Sequence, residues 1–161
     1  MSNLPSLGPR GEGWVAVQVV ILGAVALAGI ALPGTWDSPA ATLASVAGSG
    51  LVGCGVVLVF GGIAELRRGD AFTPLPRPLE SGRLVVTGVY RLVRHPVYGG
   101  LVLGAVGWAL IRVSIPTLVT AVILFAFFDL KRRREEAWLV RRFAAYEPYR
   151  RRTHRLIPWL Y

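Results

Sequence analysis

Charge-free, largely apolar runs cover residues 13–32, 39–64, 96–111 and 113–128, and the polar stretches fall between the second and third runs and after the fourth. A helix needs roughly 20 apolar residues to cross a hydrocarbon core. The first two runs reach that length and predict spanning helices over 13–32 and 40–64. The last two are shorter and only Arg112 separates them, so they predict a tight helical hairpin, 97–111 and 113–128. Its turn falls at 113–116, with Arg112 snorkelling to the interface. After Phe128 no helix breaker occurs until Pro148. The fourth span is therefore expected to continue as a cytoplasmic helix, with Trp138, Leu139 and Phe143 near one side, folding back over the mouth of the third span. The pattern predicts an all-α integral membrane protein of about four transmembrane helices in a single domain, 1–161.

Between the second and third runs, residues 73–78 carry three prolines and form a stiff loop that cannot be helical. The apolar stretch 84–90 is too short to span and is expected to lie along the interface. Irregular backbone beside a membrane is tolerated where it is buried in protein or lines a cavity, which implies a pocket here. The string Gly48-Ser49-Gly50-Leu51-Val52-Gly53 matches a dinucleotide-binding pattern, but that pattern has meaning only between a strand and a helix. Inside a spanning helix it reads as packing. Small residues four apart, Ser49 with Gly53 and Gly100 with Gly104, are expected to let helices approach closely.

Composition agrees with lipid as the solvent: of 161 residues, 53% are hydrophobic and 17% charged, and the mean hydropathy is +0.53. The first run is long for a secretory signal and is followed by a second span, so it is read as an anchor. The net charge of +9 is concentrated in two places. Arg67, Arg68, Arg77, Arg83, Arg91 and Arg94 follow the second span, residues 131–155 follow the fourth, and only Asp37 lies between the first two. Both termini and the central loop are thereby expected on the cytoplasmic side. Contact with anionic membrane lipids accounts for most of these arginines, and no nucleic-acid motif accompanies them. One cysteine, Cys54, and two histidines give neither a disulfide framework nor a metal-ligand cluster, so no metal is expected.

Candidate chemistry centres on Arg94-His95-Pro96-Val97-Tyr98, where the basic loop meets the third run. Proline suits the first position of a helix and holds the residue before it extended, so the helix is expected to begin at Pro96 with Arg94 and His95 at its mouth. Free amides of the first turn then join these side chains in a site suited to an anion such as a carboxylate.

Thr87-Gly88-Val89-Tyr90, the Arg-His-Pro-Val-Tyr string, Glu135-Glu136 and then Leu139, Phe143, Tyr146, Tyr149 and Pro158 together resemble the isoprenylcysteine carboxyl methyltransferase family of membrane enzymes, over 82–158. This half would be the cofactor-binding, catalytic one. The resemblance implies an S-adenosylmethionine site lined by Arg83, Leu84 and Val85 and closed on one side by Tyr90. His95, Pro96, Val97 and Tyr98 would hold the amino-acid end of the cofactor, with Glu135 accepting hydrogen bonds from it. Lys131 stands where the family has a substrate-contacting arginine, which keeps the charge and loses the bidentate fork. Ala144-Ala145 replaces a glycine-containing turn of the family.

Methyl transfer needs alignment and exclusion of water, and requires no metal or covalent nucleophile. A carboxylate acceptor is already ionised, so Arg94, Lys131 or Arg134 need only position it. An amine would need a base, with Glu135 or Glu136 nearest. The favoured reading is O-methylation of a lipophilic, prenylated-type carboxylate entering from the bilayer. Phospholipid or small-amine N-methylation, NADPH-dependent sterol-type reduction and a non-catalytic scaffold are the alternatives. Taken singly, Arg94 also reads as a topology arginine, Tyr98 as an interfacial anchor, and Tyr146 and Tyr149 as packing residues.

Overall fold

The computed structural model describes residues 7–75 and 82–161; Pro76, Arg77 and Pro78 of the proline-rich loop lie outside them. Gly11, in the left-handed region at φ 85°, leads into α1 (Glu12–Ala31), whose first turn carries Glu12 at the end where a helix favours negative charge. α2 (Ser38–Arg68) follows Asp37, has a proline in its first turn, and closes on Arg67 and Arg68 before Gly69. It runs four residues past the predicted boundary, with Arg68 paired to Glu65 at 2.7 Å. α3 (Pro96–Ile111) begins at the expected proline. α4 (Ile115–Arg142) starts two residues later than predicted, because Ser114 caps it by accepting from the Thr117 amide at 3.3 Å. It then continues unbroken past Phe128 to Arg142. α5 (Tyr146–Arg150) is a short closing helix.

Helices α1 and α2 are long and apolar enough to cross a membrane, and α3 is a shorter apolar helix. They carry exposed Val20, Leu27, Leu43, Val57 and Phe60 outward. Such faces are costly in water and suit lipid. α1 packs on α4, α4 on α3, and α3 most extensively on α2. The core contains Trp14, Val25, Val102, Leu124, Phe127 and Phe128.

Glycines set the α2–α3 approach, with a different spacing from the one expected. A methyl group on Gly48 would meet the Gly107 oxygen at 2.6 Å, one on Gly55 the Gly100 oxygen at 2.5 Å, and one on Gly62 the Pro96 ring at 3.0 Å. Residues seven apart return to the same helix face, so this stripe excludes Gly53, which faces open space, as does Gly104. Ser49 donates instead to the carbonyl of Ser45 at 2.8 Å.

At the end where α1 passes to α2, the α3–α4 turn is tied to that connection. Arg112 Nε donates to the Gly29 carbonyl at 2.8 Å and Ser114 Oγ to that of Leu32 at 2.7 Å. The Arg112 guanidinium, expected to snorkel outward, also lies 5.6 Å over the Trp108 ring. At the opposite end, residues 82–86 are irregular and Gly88–Arg91 form one 3-10 turn against α2. Gly88 has φ +55°, and a side chain there would strike Glu65, whose carboxylate accepts from the Thr87 hydroxyl.

Candidate active site

The sequence from 92 to 95 has no helix to join, and the C-terminal tail supplies its partners. The Arg94 amide donates to the His154 carbonyl at 2.9 Å, the His95 amide to that of Arg155 at 3.1 Å, and the His154 amide returns to Leu92 at 3.0 Å. Leu156 is fully buried, with its backbone pressed against Gly99 where no Cβ fits. Tyr161 donates to Asp129 at 2.7 Å. The tail is thus docked on α3 and α4, while Trp159 and Leu160 near its end remain strongly exposed.

That tail fixes His95 between two carboxylates. His95 Nε2 lies 3.2 Å from Glu136 Oε1, and Nδ1 lies 3.6 Å from Glu135 Oε2. Tyr98 stacks parallel to the imidazole at 5.5 Å and donates to Glu135 at 3.0 Å. The two glutamates differ in access, Glu135 being 24% exposed and Glu136 8%. Burial opposes ionisation of Glu136, yet the hydrogen bond from His95 and the neighbouring His95 and Arg94 outweigh it and hold its carboxyl at about 2. Glu136 is a fixed anion of the scaffold, and Glu135 is the carboxylate that lines the cavity.

Arg94, expected to position an acceptor, is held in the cavity wall by groups of the protein. Its Nε donates to Glu136 at 3.0 Å, and its Nη1 to the carbonyl of Arg150 at 2.9 Å and to that of Thr153. The guanidinium therefore joins α4, α5 and the tail. It forms part of the cavity wall, with its Nε and Nη1 donors engaged by protein.

Lys131 is buried one helical turn before Glu135. Its Nζ donates to Gln18 Oε1 of α1 at 2.6 Å and sits 5.2 Å over the Tyr98 ring. Burial pushes the ammonium down from 10.5 to about 8, against the pull of Glu135. This part of α4 lies beyond the apolar 115–128 segment.

These groups open on one cavity of about 240 Å³. Of the residues singled out in the sequence, Arg83, Leu84, Val85, Tyr90, Arg94, His95, Val97, Tyr98, Lys131 and Glu135 line it. Pro96 does not, being fully buried against Gly62. Leu139, Phe143, Tyr146 and Tyr149 complete the wall from α4 and α5, which gives Tyr146 and Tyr149 a place at the site as well as in packing. Burial first of all raises the phenols of Tyr90, Tyr146 and Tyr149, so they stay neutral. Gln18, Phe72 and Pro74 were not singled out from sequence and also line the cavity. An amide inside an otherwise apolar run is the signal that marks Gln18.

A family model described as phospholipid methyltransferase matches residues 43–146. The chain belongs to the phospholipid methyltransferase family. The match takes in α2 from its second turn onward, α3 and α4 and ends at the first residue of α5, leaving α1 and the docked tail outside it. The chain is 31% identical over 102 residues to a rice (Oryza sativa subsp. indica) protein titled "Probable protein-S-isoprenylcysteine O-methyltransferase", covering 61% of this chain and 53% of that one. It is 38% identical over 77 residues to the protein-S-isoprenylcysteine O-methyltransferase of Schizosaccharomyces pombe, covering 47% of this chain and 33% of that one. The chain thus spans about half the length of the rice relative and a third of the yeast one.

Proposed function

We propose that the protein is a multi-pass membrane methyltransferase that uses S-adenosylmethionine to methylate a carboxylate on a lipophilic acceptor, with its termini and site on the cytoplasmic side. The observation that supports it best is the pairing, in one cavity, of an accessible carboxylate held by His95 and Tyr98 with a buried cation one helical turn away. The donor set fits the cofactor. Glu135 and the free amides at the start of α3 suit a zwitterionic amino-acid end, and Leu84, Val85, Tyr90 and Phe143 offer apolar and aromatic walls. When bound, S-adenosylmethionine supplies a methyl on a sulfonium, which passes to a carboxylate oxygen as the sulfur leaves as a thioether, with no proton to move.

The protein's own residues then orient and desolvate. His95 and Tyr98 fix Glu135, Glu136 and Arg94 hold the tail that fixes His95, and Lys131 attracts the acceptor's anion. Closure by residues 71–74, by α5 and by the end of α4 limits water at the site. The family's name keeps N-methylation of a phospholipid amine as a second reading. The buried cation of Lys131 favours the carboxylate. Reduction with NADPH and a scaffold role draw no support from the family match.

A titration of purified protein in detergent with S-adenosylmethionine and with NADPH tests the reading. Saturable binding of the first alone is the expected result, and a folded protein that binds neither, or only NADPH, removes it.

A further inference from the structure

The family match begins at residue 43, yet one wall of the cavity comes from α1. Gln18 lies on the second turn of that helix, in a run otherwise chosen for lipid, and its Oε1 receives the Lys131 ammonium at 2.6 Å. A primary amide is planar, so when its oxygen faces the ammonium its NH2 group is directed elsewhere. The Nε2 hydrogens make no hydrogen bond among the described residues, and both side chains line the same cavity. Lys131 has two further close partners, the Pro74 carbonyl at 3.4 Å and the Tyr98 ring; it feels the charge of Glu135 one turn on but forms no ion pair with it.

We propose that Gln18 and Lys131 together form the headgroup clamp of the acceptor, the ammonium and the carboxamide NH2 each donating to one oxygen of a carboxylate. The proposal rests on the methyltransferase reading and names the residues that select its acceptor. A lone lysine is a point charge and sets no orientation on a planar anion, whereas a guanidinium presents two parallel donors. The amide beside Lys131 restores the second donor, from a helix outside the matched region. An ammonium acceptor meets a like charge here and is disfavoured. The clamp sits about 9 Å in from the start of α1, at 1.5 Å per residue.

Binding of S-farnesyl N-acetylcysteine to the full chain in detergent, measured without any methyl donor, tests the clamp. Gln18→Leu is expected to weaken binding by about tenfold, the order of a hydrogen bond to a charged group. The same change in a Lys131→Arg background is expected to have little effect, because the guanidinium supplies both donors. Gln18→Glu keeps size and pairs with Lys131, so it should fold as the parent does and lose the carboxylate probe more completely than Gln18→Leu. Equal losses from Gln18→Leu in both backgrounds, or unchanged binding by Gln18→Glu, would overturn the clamp. S-adenosylmethionine affinity, followed in the same variants, is expected to stay at the parental value. Its absence from the unsubstituted chain would instead remove the methyltransferase reading, while the probe measurements would still decide the clamp.

Discussion

His95 Nε2 stands 3.2 Å from Glu136 Oε1, and the same oxygen accepts from Arg94 Nε at 3.0 Å, so one buried carboxylate holds two neighbouring residues of the loop before α3. That triple contact joins the α3 mouth to α4 across some forty residues of sequence. It also determines how the site responds to acid.

The Glu136 carboxyl lies at about 2 in the folded protein, below its ordinary 4.5. A depressed carboxyl stabilises the fold fully above its unfolded value and loses that contribution as pH falls through the folded one. Denaturant unfolding in detergent is expected to show stability declining from about pH 4.5 toward pH 2. Glu136→Gln leaves Arg94 buried without its anion and should cost about 3 kcal/mol at neutral pH. It should also flatten the acid limb. An acid limb unchanged in Glu136→Gln would assign it elsewhere.

Lys131 titrates in the opposite range. With its ammonium at about 8, it should attract a carboxylate acceptor below that pH and lose hold above it, so turnover should fall with an apparent midpoint near 8. Lys131→Arg should remove the limb, since guanidinium stays charged. The sign for stability is separate: between about 8 and 10.5 the unfolded lysine binds the proton and the folded one does not, so stability rises with pH there. A rate profile that keeps its alkaline limb in Lys131→Arg would exclude this lysine as its source.

Donor and acceptor functions should separate by residue. Glu135→Ala is expected to lower S-adenosylmethionine affinity by about tenfold, the effect of losing a charged hydrogen-bond acceptor, whereas Lys131→Ala should chiefly reduce turnover. His95→Ala should weaken the cofactor through the misplacement of Glu135. Calorimetric titration beside single-turnover rates distinguishes these outcomes, and a Lys131→Ala protein impaired only in cofactor binding would reverse the assignment.

The α2–α3 contact gives a stability test independent of chemistry. Gly55→Val places a side chain against the Gly100 oxygen, where even one methyl would lie at 2.5 Å, and should destabilise by about 2 kcal/mol or more. Gly53→Val faces open space and should be near neutral. Thermal unfolding in detergent compares them directly, and equal effects would mean that the stripe had been misread.

Topology follows from the arginines. Cysteines introduced at Asp70 and Thr153 should be labelled from the same side of the membrane and one at Asp37 from the other. Labelling of all three from one side would refute a multi-pass arrangement.

Helices α1, α2, α3 and α4 were legible in the sequence because a run of apolar residues between charges is a local property, and a proline at Pro96 or Pro116 marks a helix start wherever the chain goes. The Arg-His-Pro-Val-Tyr string stood out for a similar reason, as a fixed spacing within a single segment, whereas Glu135 entered only through the family resemblance. What the sequence left open was pairing across segments. Nothing local says that the tail would lie along residues 92–95, that Arg94 would be taken up by Glu136 and the carbonyls of Arg150 and Thr153, or that glycines seven apart would carry the α2–α3 contact where four-residue spacing looked equally good. Gln18 is the sharpest instance: by itself it is one amide in an apolar helix, and it becomes part of a site only because α1 packs on α4 beside Lys131. Burial and the direction of a hydrogen bond arise when distant segments meet, so the tertiary structure alone decided which polar residues hold the fold and which face the cavity.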